Sequence, residues 1–442
     1  MSTRREFIRK SAIGSTALVT AGSLSPTWLY SRTASPNEQI QVAVIGVRSR
    51  AKALIEGISK YTNAKVIYNC DVDTTIMEAH SLWCNEKIGY VPRQESDFRR
   101  ILDDKDVDAI FIATPEHWHA PMAIAGLQAG KHVYVEKPCS HNPAENQMLI
   151  AAQRKYGKVV QMGNQQRSAV TSRRAINDIR EGIIGEVFKG EAYYSNNRST
   201  IGLGKQVDVP ATLDWNLWQG PAPREKYRDN IHPYNWHWFR KWGTGEIHNN
   251  GTHEIDICRW ALGVDLPETV TSFGGKFSYD DDWEFPDNMQ VTYTFADNKF
   301  ITWTGHSRGL IKPEQPGRGV TIYGSKGTIE LSRDGYKLYG LDGRPIRFEF
   351  EQGVSATIDT MGGGDLDAMH IANFFNAITK NEALNAPIAD AGLSTMLCHL
   401  GNMAFDAGES LKIDPSEGKV TNSEKAMQNW GRDYEPGWEP RL

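Results

Sequence analysis

The sequence predicts an α/β protein of two domains: a doubly wound parallel sheet, then an α+β domain carrying a large, mostly antiparallel open sheet. Three observations predict it. From Gln39 onward, apolar strand-like runs alternate with segments of helical spacing, which is the pattern of a parallel sheet with crossover helices. From Gly185 onward, β-rich runs follow one another across polar turns. And 442 residues, 40% of them hydrophobic, exceed one ordinary domain and can bury two cores.

Residues 1–36 stand outside this fold as a targeting segment. Arg4-Arg5-Glu6-Phe7, the basic Arg9-Lys10 and a weakly apolar run from Ser11 to Leu24 have the charged start and short apolar middle of an export signal. The paired arginines predict the twin-arginine route, with the Tat export machinery as a partner and a periplasmic or otherwise exported location. A basic disordered tail is the alternative reading. No other segment is long and apolar enough to span a bilayer, so no stable membrane span is expected.

Residues 37–142 are expected to form the parallel domain. Ile40 to Ile45 is a strand closed by Gly46, and Ala51 to Lys60 has Ala53, Leu54 and Ile58 at helical spacing. Ala64 to Asn69 and Val107 to Ala113 are further strands, ending at Cys70-Asp71 and Thr114. The first turn reads Gly46-Val47-Arg48-Ser49-Arg50-Ala51, which keeps one glycine of the Gly-x-Gly-x-x-Gly dinucleotide loop. Arg48 stands where the second glycine lets phosphates approach. Either Arg48 or Arg50 pairs with a phosphate, with Ser49 between them and beside the helix N-terminus that already favours anions, or the nucleotide site has decayed. Asp71 ends the second strand, where a carboxylate accepts hydrogen bonds from ribose hydroxyls and repels a 2′-phosphate; this favours NAD, with NADP left open by the two arginines.

The most informative stretch is Thr114-Pro115-Glu116-His117-Trp118-His119, followed by Ala129-Gly130-Lys131-His132-Val133-Tyr134-Val135-Glu136-Lys137-Pro138. It places Lys137 at the end of an apolar strand, where open α/β sheets bind ligands, with a proline restricting the backbone that aims the ammonium. Together these segments resemble the Gfo/Idh/MocA family, named for glucose-fructose oxidoreductase and inositol dehydrogenase. The resemblance implies a Rossmann first domain that binds NAD tightly, with Thr114, Pro115, His119, Glu136 and Lys137 along the cofactor.

Residues 143–410 are expected to form the second domain. Val159 to Arg167 reads as a short strand into a polar turn whose Gln165 amide reaches the nicotinamide or the substrate. A helix from Ser168 to Glu181 precedes the runs Gly185–Tyr194, Val270–Phe277, Met289–Phe295, Phe300–Trp303, Val320–Tyr323 and Thr328–Leu331. By resemblance this sheet carries the substrate side of the cleft and the subunit contact, giving a homodimer or homotetramer, while helices near 366–379 and 391–405 pack back on the first domain. The tail 411–442 gives no reading.

A second constellation runs from Gly243 to Trp260. Asn249 and His253 lie four apart, so on a helix they share one side. The segment resembles the family's Asp-x-x-x-His signature, in which the histidine works with the Glu-Lys-Pro lysine on a sugar hydroxyl. Asn249 stands in the aspartate's place and cannot relay a proton, so acid-base duty rests on His253 and Lys137 or passes to Glu246, His248 or Glu254. Asp256 is expected to bridge to Arg259. The substrate-side candidates are Tyr194, Trp236, Arg240 and His253. His237, His248, Glu246 and His253 lack His-Glu-x-x-His spacing, so no metal is assigned.

Composition narrows the classes. A net charge of -5 and an isoelectric point near 6.2 give no basic footprint for nucleic acid. Five widely spaced cysteines without a Cys-x-x-Cys pair indicate neither a disulfide framework nor a zinc knuckle. Three function classes remain: an oxidoreductase acting by hydride transfer on a hydroxyl or keto group of a sugar, sugar derivative or cyclitol; a redox-neutral glycosidase or lyase working through a transient keto-sugar; and a non-catalytic sugar-binding protein. The family's N-acetylgalactosaminidase branch is expected to carry Tyr-Pro-Thr-His, and Asn249-Asn250-Gly251-Thr252-His253 departs from it.

Overall fold

The computed structural model describes residues 39–309, 317–350 and 365–442; the twin-arginine segment lies outside them. Six strands, β1 (Ile40–Ile45), β2 (Ala64–Cys70), β3 (Arg93–Glu95), β4 (Ala109–Ile112), β5 (His132–Val135) and β6 (Val160–Met162), form one sheet in the order β3-β2-β1-β4-β5-β6. Every pairing in it is parallel. β4 is buried along its whole length and β1 along nearly all of its own, as expected of strands covered on both faces by helices. The chain leaves β1 towards β2 on one side and resumes at β4 on the other, so a crevice opens beyond the carboxyl ends of β1 and β4.

Local chemistry starts and stops the crossover helices. Asp73 caps the Thr74–Ile88 helix by accepting from Thr75 N, and Asn142 caps Pro143–Tyr156 by accepting from Glu145 N, with a left-handed glycine, Gly157, ending the latter. That second helix and β6 correct the expected domain boundary. Val160 pairs in parallel with Val133, so the parallel unit extends past residue 142 to Met162. β6 has only three residues, one of them Gln161, too short for its apolar pattern to announce which sheet it joins.

The second sheet has ten strands. β7 (Val187–Asn197), β8 (Thr269–Gly275), β9 (Asn288–Thr294), β10 (Phe300–His306), β11 (Arg308–Gly309), β12 (Arg318–Gly324), β13 (Gly327–Leu331), β14 (Gly335–Gly340), β15 (Pro345–Phe350) and β16 (Leu411–Lys412) run in the order β15-β14-β13-β12-β7-β10-β9-β8-β16, with β11 against β7. It is antiparallel except where β7 meets β10. Alternation along β10 buries Ile301 and Trp303 against a core shared with Ile255 and Cys258 of the Thr252–Leu262 helix and Leu397 and Leu400 of the Ile388–Ala407 helix. Phe273, Ile346, Phe348 and Phe350 stay exposed.

Two C-terminal helices contact the parallel unit: Asp365–Lys380 lies against Ser49–Ser59, and Ile388–Ala407 against Pro143–Tyr156. The tail, unread in the sequence, is also tied down. Leu411 pairs with Val270, Arg432 meets the buried Glu145 at 2.6 Å, and Trp438 packs edge-on against Trp118 at 5.2 Å between ring centroids. All five cysteines are free and buried.

Candidate active site

A cavity of about 590 Å³ occupies the crevice beyond the parallel strands and continues to the second sheet. Its nucleotide end begins at Gly46, whose φ of +82° and close approach to the next strand exclude any side chain: an added Cβ would lie 2.7 Å from the Ala113 carbonyl and the Thr114 nitrogen. The Ser49–Ser59 helix that follows has no side-chain cap at Arg48 and no acidic residue in its first turn. Its leading N–H groups are therefore free to face an anion.

The two arginines divide. Arg48 is exposed at the cavity mouth, donates to the Pro233 carbonyl at 3.2 Å and lies 5.6 Å over the Tyr234 ring. The side chain standing in the second glycine's place thus spans the mouth. Arg50 corrects the expectation that either arginine serves a phosphate: it lines the cavity, but its guanidinium is held by Glu136 at 2.8 Å and by both oxygens of Asp367 at 2.6 and 3.1 Å.

Asp71 lines the same end and accepts from Val47 N at 2.9 Å and Asp73 N at 3.1 Å. Burial pushes its carboxyl up to about 6. Thr114, Pro115 and His119 also line the cavity, with Thr114 against Gly46. Thr114 Oγ1 is buried without a hydrogen-bond partner, and the His119 ring sits between the Pro138 carbonyl at 2.6 Å and the Thr114 carbonyl at 2.9 Å, joining the two halves of the sequence motif. Gln165 lines the cavity and donates to Glu136 at 3.2 Å.

At the other end, Lys137, Asn249 and His253 come together. Lys137 Nζ donates to the Asn249 carbonyl in a short contact and to Asn249 Oδ1 at 3.2 Å. Asn249 lies on a π-helical turn, Ile247–Gly251, that runs straight into the Thr252–Leu262 helix carrying His253. Such turns are rare and concentrate at functional sites. His253 is buried, lines the cavity and has no hydrogen-bonded partner among the described residues. Burial, then the nearby Arg333 and Arg318, holds it well below its ordinary pKa, so the ring is neutral. Burial also lowers the pKa of Lys137, against the pull of Glu116 and Glu136.

The fallback acid-base groups are elsewhere. Glu246 is bound to Arg198 at 2.7 Å, Glu254 to Arg318 at 2.6 Å, and His248 packs against His399 with centroids 4.3 Å apart; none of the three lines the cavity. Arg240 is a second correction. It is exposed and pairs with Asp406 at 2.6 and 2.7 Å, away from the cavity that Tyr194 and Trp236 do line. The arginine on that wall is Arg198, which donates to Tyr194 Oη at 3.3 Å. Asp256 is a third: its partners are Arg167, at 2.7 Å to each oxygen, and Ser394, while Arg259 pairs with Asp390. The residue missed outright is Glu116. It lines the cavity, is 2% exposed, and accepts from Thr244 Oγ1.

Comparison with known proteins decides the family. Residues 40–164 match the Gfo/Idh/MocA profile described as an oxidoreductase family with an NAD-binding Rossmann fold, and residues 173–330 match the Gfo/Idh/MocA C-terminal domain. The chain belongs to the Gfo/Idh/MocA family. As a member it carries the family's NAD-binding domain, and NAD is its cofactor. The uncapped helix at Ser49, the side-chain-free Gly46 and Asp71 at the end of β2 fit a dinucleotide along this wall.

Among curated relatives, glycosyl hydrolase family 109 protein 2 of Shewanella sp. (strain ANA-3) is 28% identical over 200 residues, 44% of this chain and 42% of that protein. The match spans less than half the relative's length. Among solved structures, levoglucosan dehydrogenase in complex with NADH and levoglucosan superposes with a TM-score of 0.66 at 19% identity, covering 85% of this chain and 99% of that one. Aldose-aldose oxidoreductase from Caulobacter crescentus gives 0.63 at 17%, covering 85% and 100%. At these identities the likeness shows the Gfo/Idh/MocA fold alone.

Proposed function

We propose that this Gfo/Idh/MocA chain is an NAD-dependent oxidoreductase acting on a hydroxyl or keto group of a sugar, sugar derivative or cyclitol. The observation that carries the reading is the meeting of Lys137, Asn249 and His253 in a cavity also lined by Gly46, Ser49 and Asp71, which fit a dinucleotide. When bound, NAD supplies a hydride acceptor at its nicotinamide ring, and its reduced form a donor.

The chain's own residues divide the remaining work. Neutral His253 takes the substrate hydroxyl proton at a ring nitrogen, as a general base. Lys137 stabilises the developing alkoxide by charge, and Asn249 holds its Nζ through two oxygens. The Ser49 helix end would hold the pyrophosphate of a bound NAD and Asp71 its ribose hydroxyls. Tyr194 and Trp236 orient the sugar. In the reverse direction His253 returns the proton as a keto-sugar is reduced.

The reading extends to export by the twin-arginine route to the periplasm, to a tightly held cofactor recycled in place because free NAD is scarce outside the cytoplasm, and to a homodimer or homotetramer through the exposed face of the second sheet. A second reading, redox-neutral cleavage through a transient keto-sugar, is supported by the relatives named glycosyl hydrolase family 109; the 249–253 segment is a point against it.

The test is mass spectrometry of nucleotide released on gentle denaturation, followed by sugar and glycoside panels with the native protein. One NAD(H) per chain, with a sugar that changes its redox state stoichiometrically, is the expected result. Glycoside cleavage with no net change in the nicotinamide would establish the second reading. No nucleotide, and no binding of added NAD or NADP, would overturn both.

A further inference from the structure

Two carboxylates act on Lys137, Glu116 and Glu136, and among the described residues only Glu136 is matched to an arginine, as are other buried carboxylates of this unit. Glu136 and Asp367 hold Arg50, Glu246 holds Arg198, and Glu254 holds Arg318. Glu116 differs. It begins the short helical turn Glu116–Trp118 beyond β4, is almost fully buried, lines the same cavity as Lys137 and, among the described residues, receives only the Thr244 hydroxyl and backbone N–H. Among the described residues no arginine neutralises it. Position 249, where the family's aspartate is expected, offers Lys137 only a neutral amide and a carbonyl.

We infer that Glu116 supplies the carboxylate that position 249 lacks, and that Glu116 and Lys137 form a buried, electrostatically coupled pair in the wall of the site. Glu116 is a positioning residue, since it acts through Lys137. The two are not in ion-pair contact: Lys137 Nζ is engaged by Asn249 and Glu116 Oε2 by Thr244, so the charges act across an enclosed, weakly screened space. Glu116 is the strongest charge favouring the ammonium of Lys137, followed by Glu136, with Arg318 and Arg50 opposing. Around Glu116, Lys137 favours the carboxylate and Glu246 opposes it. His119, His237, His248 and His253 also feel the lysine, and burial keeps all four below their ordinary range, so they add little charge near neutrality.

The consequence is a pH-dependent charge on the lysine. Burial lifts Glu116 to about 7. As pH falls through that value Glu116 takes up a proton and Lys137 loses its main countercharge; as pH rises the carboxylate re-forms and holds the ammonium. The proton that Glu116 gains or loses is exchanged with solvent, and nothing is oxidised or reduced. The inference rests on the role proposed for Lys137, but its test does not need a substrate.

The experiment is competitive acetylation of the full chain, with its nucleotide, by acetic anhydride across a pH series, read for Lys137 by peptide mass spectrometry, with Lys337 as internal reference. In Glu116→Gln the pH of half-labelling of Lys137 is expected to fall by about one unit or more, Glu116→Asp is expected to recover most of the difference, and Lys337 is expected to stay put. An unchanged Lys137 curve in folded Glu116→Gln overturns the inference. Should that variant fail to fold, Thr244→Val removes the hydroxyl donor to Glu116, raises its proton affinity and is expected to move the Lys137 curve the same way; no movement overturns the inference equally. Failure to find any sugar substrate would count against the proposed function and leave the labelling curves as they are.

Discussion

Lys137 and Asn249, from opposite domains, are joined by two hydrogen bonds, one to the backbone carbonyl and one of 3.2 Å to the side-chain oxygen. The contact fixes an ammonium that burial would otherwise leave poorly solvated, and it holds the π-helical turn against the end of β5. Lys137→Met is therefore expected to lower kcat by roughly 10²–10⁴-fold, the span of a lost acid-base or charge-stabilising group. Nucleotide content should stay near that of the parent. Steady-state turnover on the responsive sugar, paired with released NAD(H), checks both, and full activity in this variant would remove Lys137 from the chemistry.

Asp71 sets a trade between stability and nucleotide binding. Its folded pKa, about 6, lies above the ordinary carboxylate value of about 3.9. The native state therefore binds this proton more readily than the unfolded chain, so the group's cost is fully present above pH 6 and disappears as pH falls through 6 towards 4. Because the side chain keeps some exposure to the cavity, about 1–3 kcal/mol is the scale. In nucleotide-free protein, Asp71→Asn should be more stable than the parent at pH 7, with the difference shrinking towards pH 4, and should bind NAD more weakly. Denaturant midpoints at the two pH values test the sign; a variant less stable at pH 7 contradicts it.

Arg240 and Arg198 separate a surface pair from a cavity wall. The Arg240–Asp406 pair is well formed, but Arg240 is 41% exposed, so its loss should cost no more than about 1 kcal/mol. Arg240→Ala should leave KM and kcat unchanged. Arg198→Ala frees the buried Glu246 and a hydrogen bond to Tyr194, and should raise KM for the sugar. Kinetics of the two variants side by side decide the assignment; a raised KM in Arg240→Ala would return that residue to the substrate site.

How much of this was legible in the sequence depends on the range of the interaction. Gly46, Asp71, Thr114, His119 and Lys137 could be placed because strand ends fix their position from local pattern alone. Asn249 and His253 were legible from helical spacing, which survives the π-helical turn between them. Arg240 was misplaced because an arginine amid tryptophans looks the same whether it faces a sugar or a distant aspartate, here 166 positions away. Arg50 was misread because its partners, Glu136 and Asp367, are 86 and 317 positions off. Glu116 stood inside the most informative motif, yet its significance comes from having no matching arginine among the described residues, which only the packed structure displays.

Asp256 carries the same lesson into stability. An i, i+3 partner, Arg259, was the local expectation, but the carboxylate is gripped by Arg167 from the turn after β6, and Ser394 adds a third bond. Both members are nearly fully buried, with side-chain exposures of 6% and 2%. A buried pair of this kind contributes little relative to an apolar replacement, but breaking it strands a charge. Arg167→Leu is therefore expected to cost about 3–5 kcal/mol, while Arg167→Leu combined with Asp256→Leu should recover much of that loss, since no unpaired charge remains. Arg167 also meets Asp390 at 2.8 Å, which keeps the recovery incomplete. Thermal or denaturant unfolding of the single and double variants gives the coupling directly. If the single variant unfolds like the parent, the turn after β6 is not pinned by this pair, and the orientation of Gln165 at the cavity must come from Glu136 and Tyr134 instead.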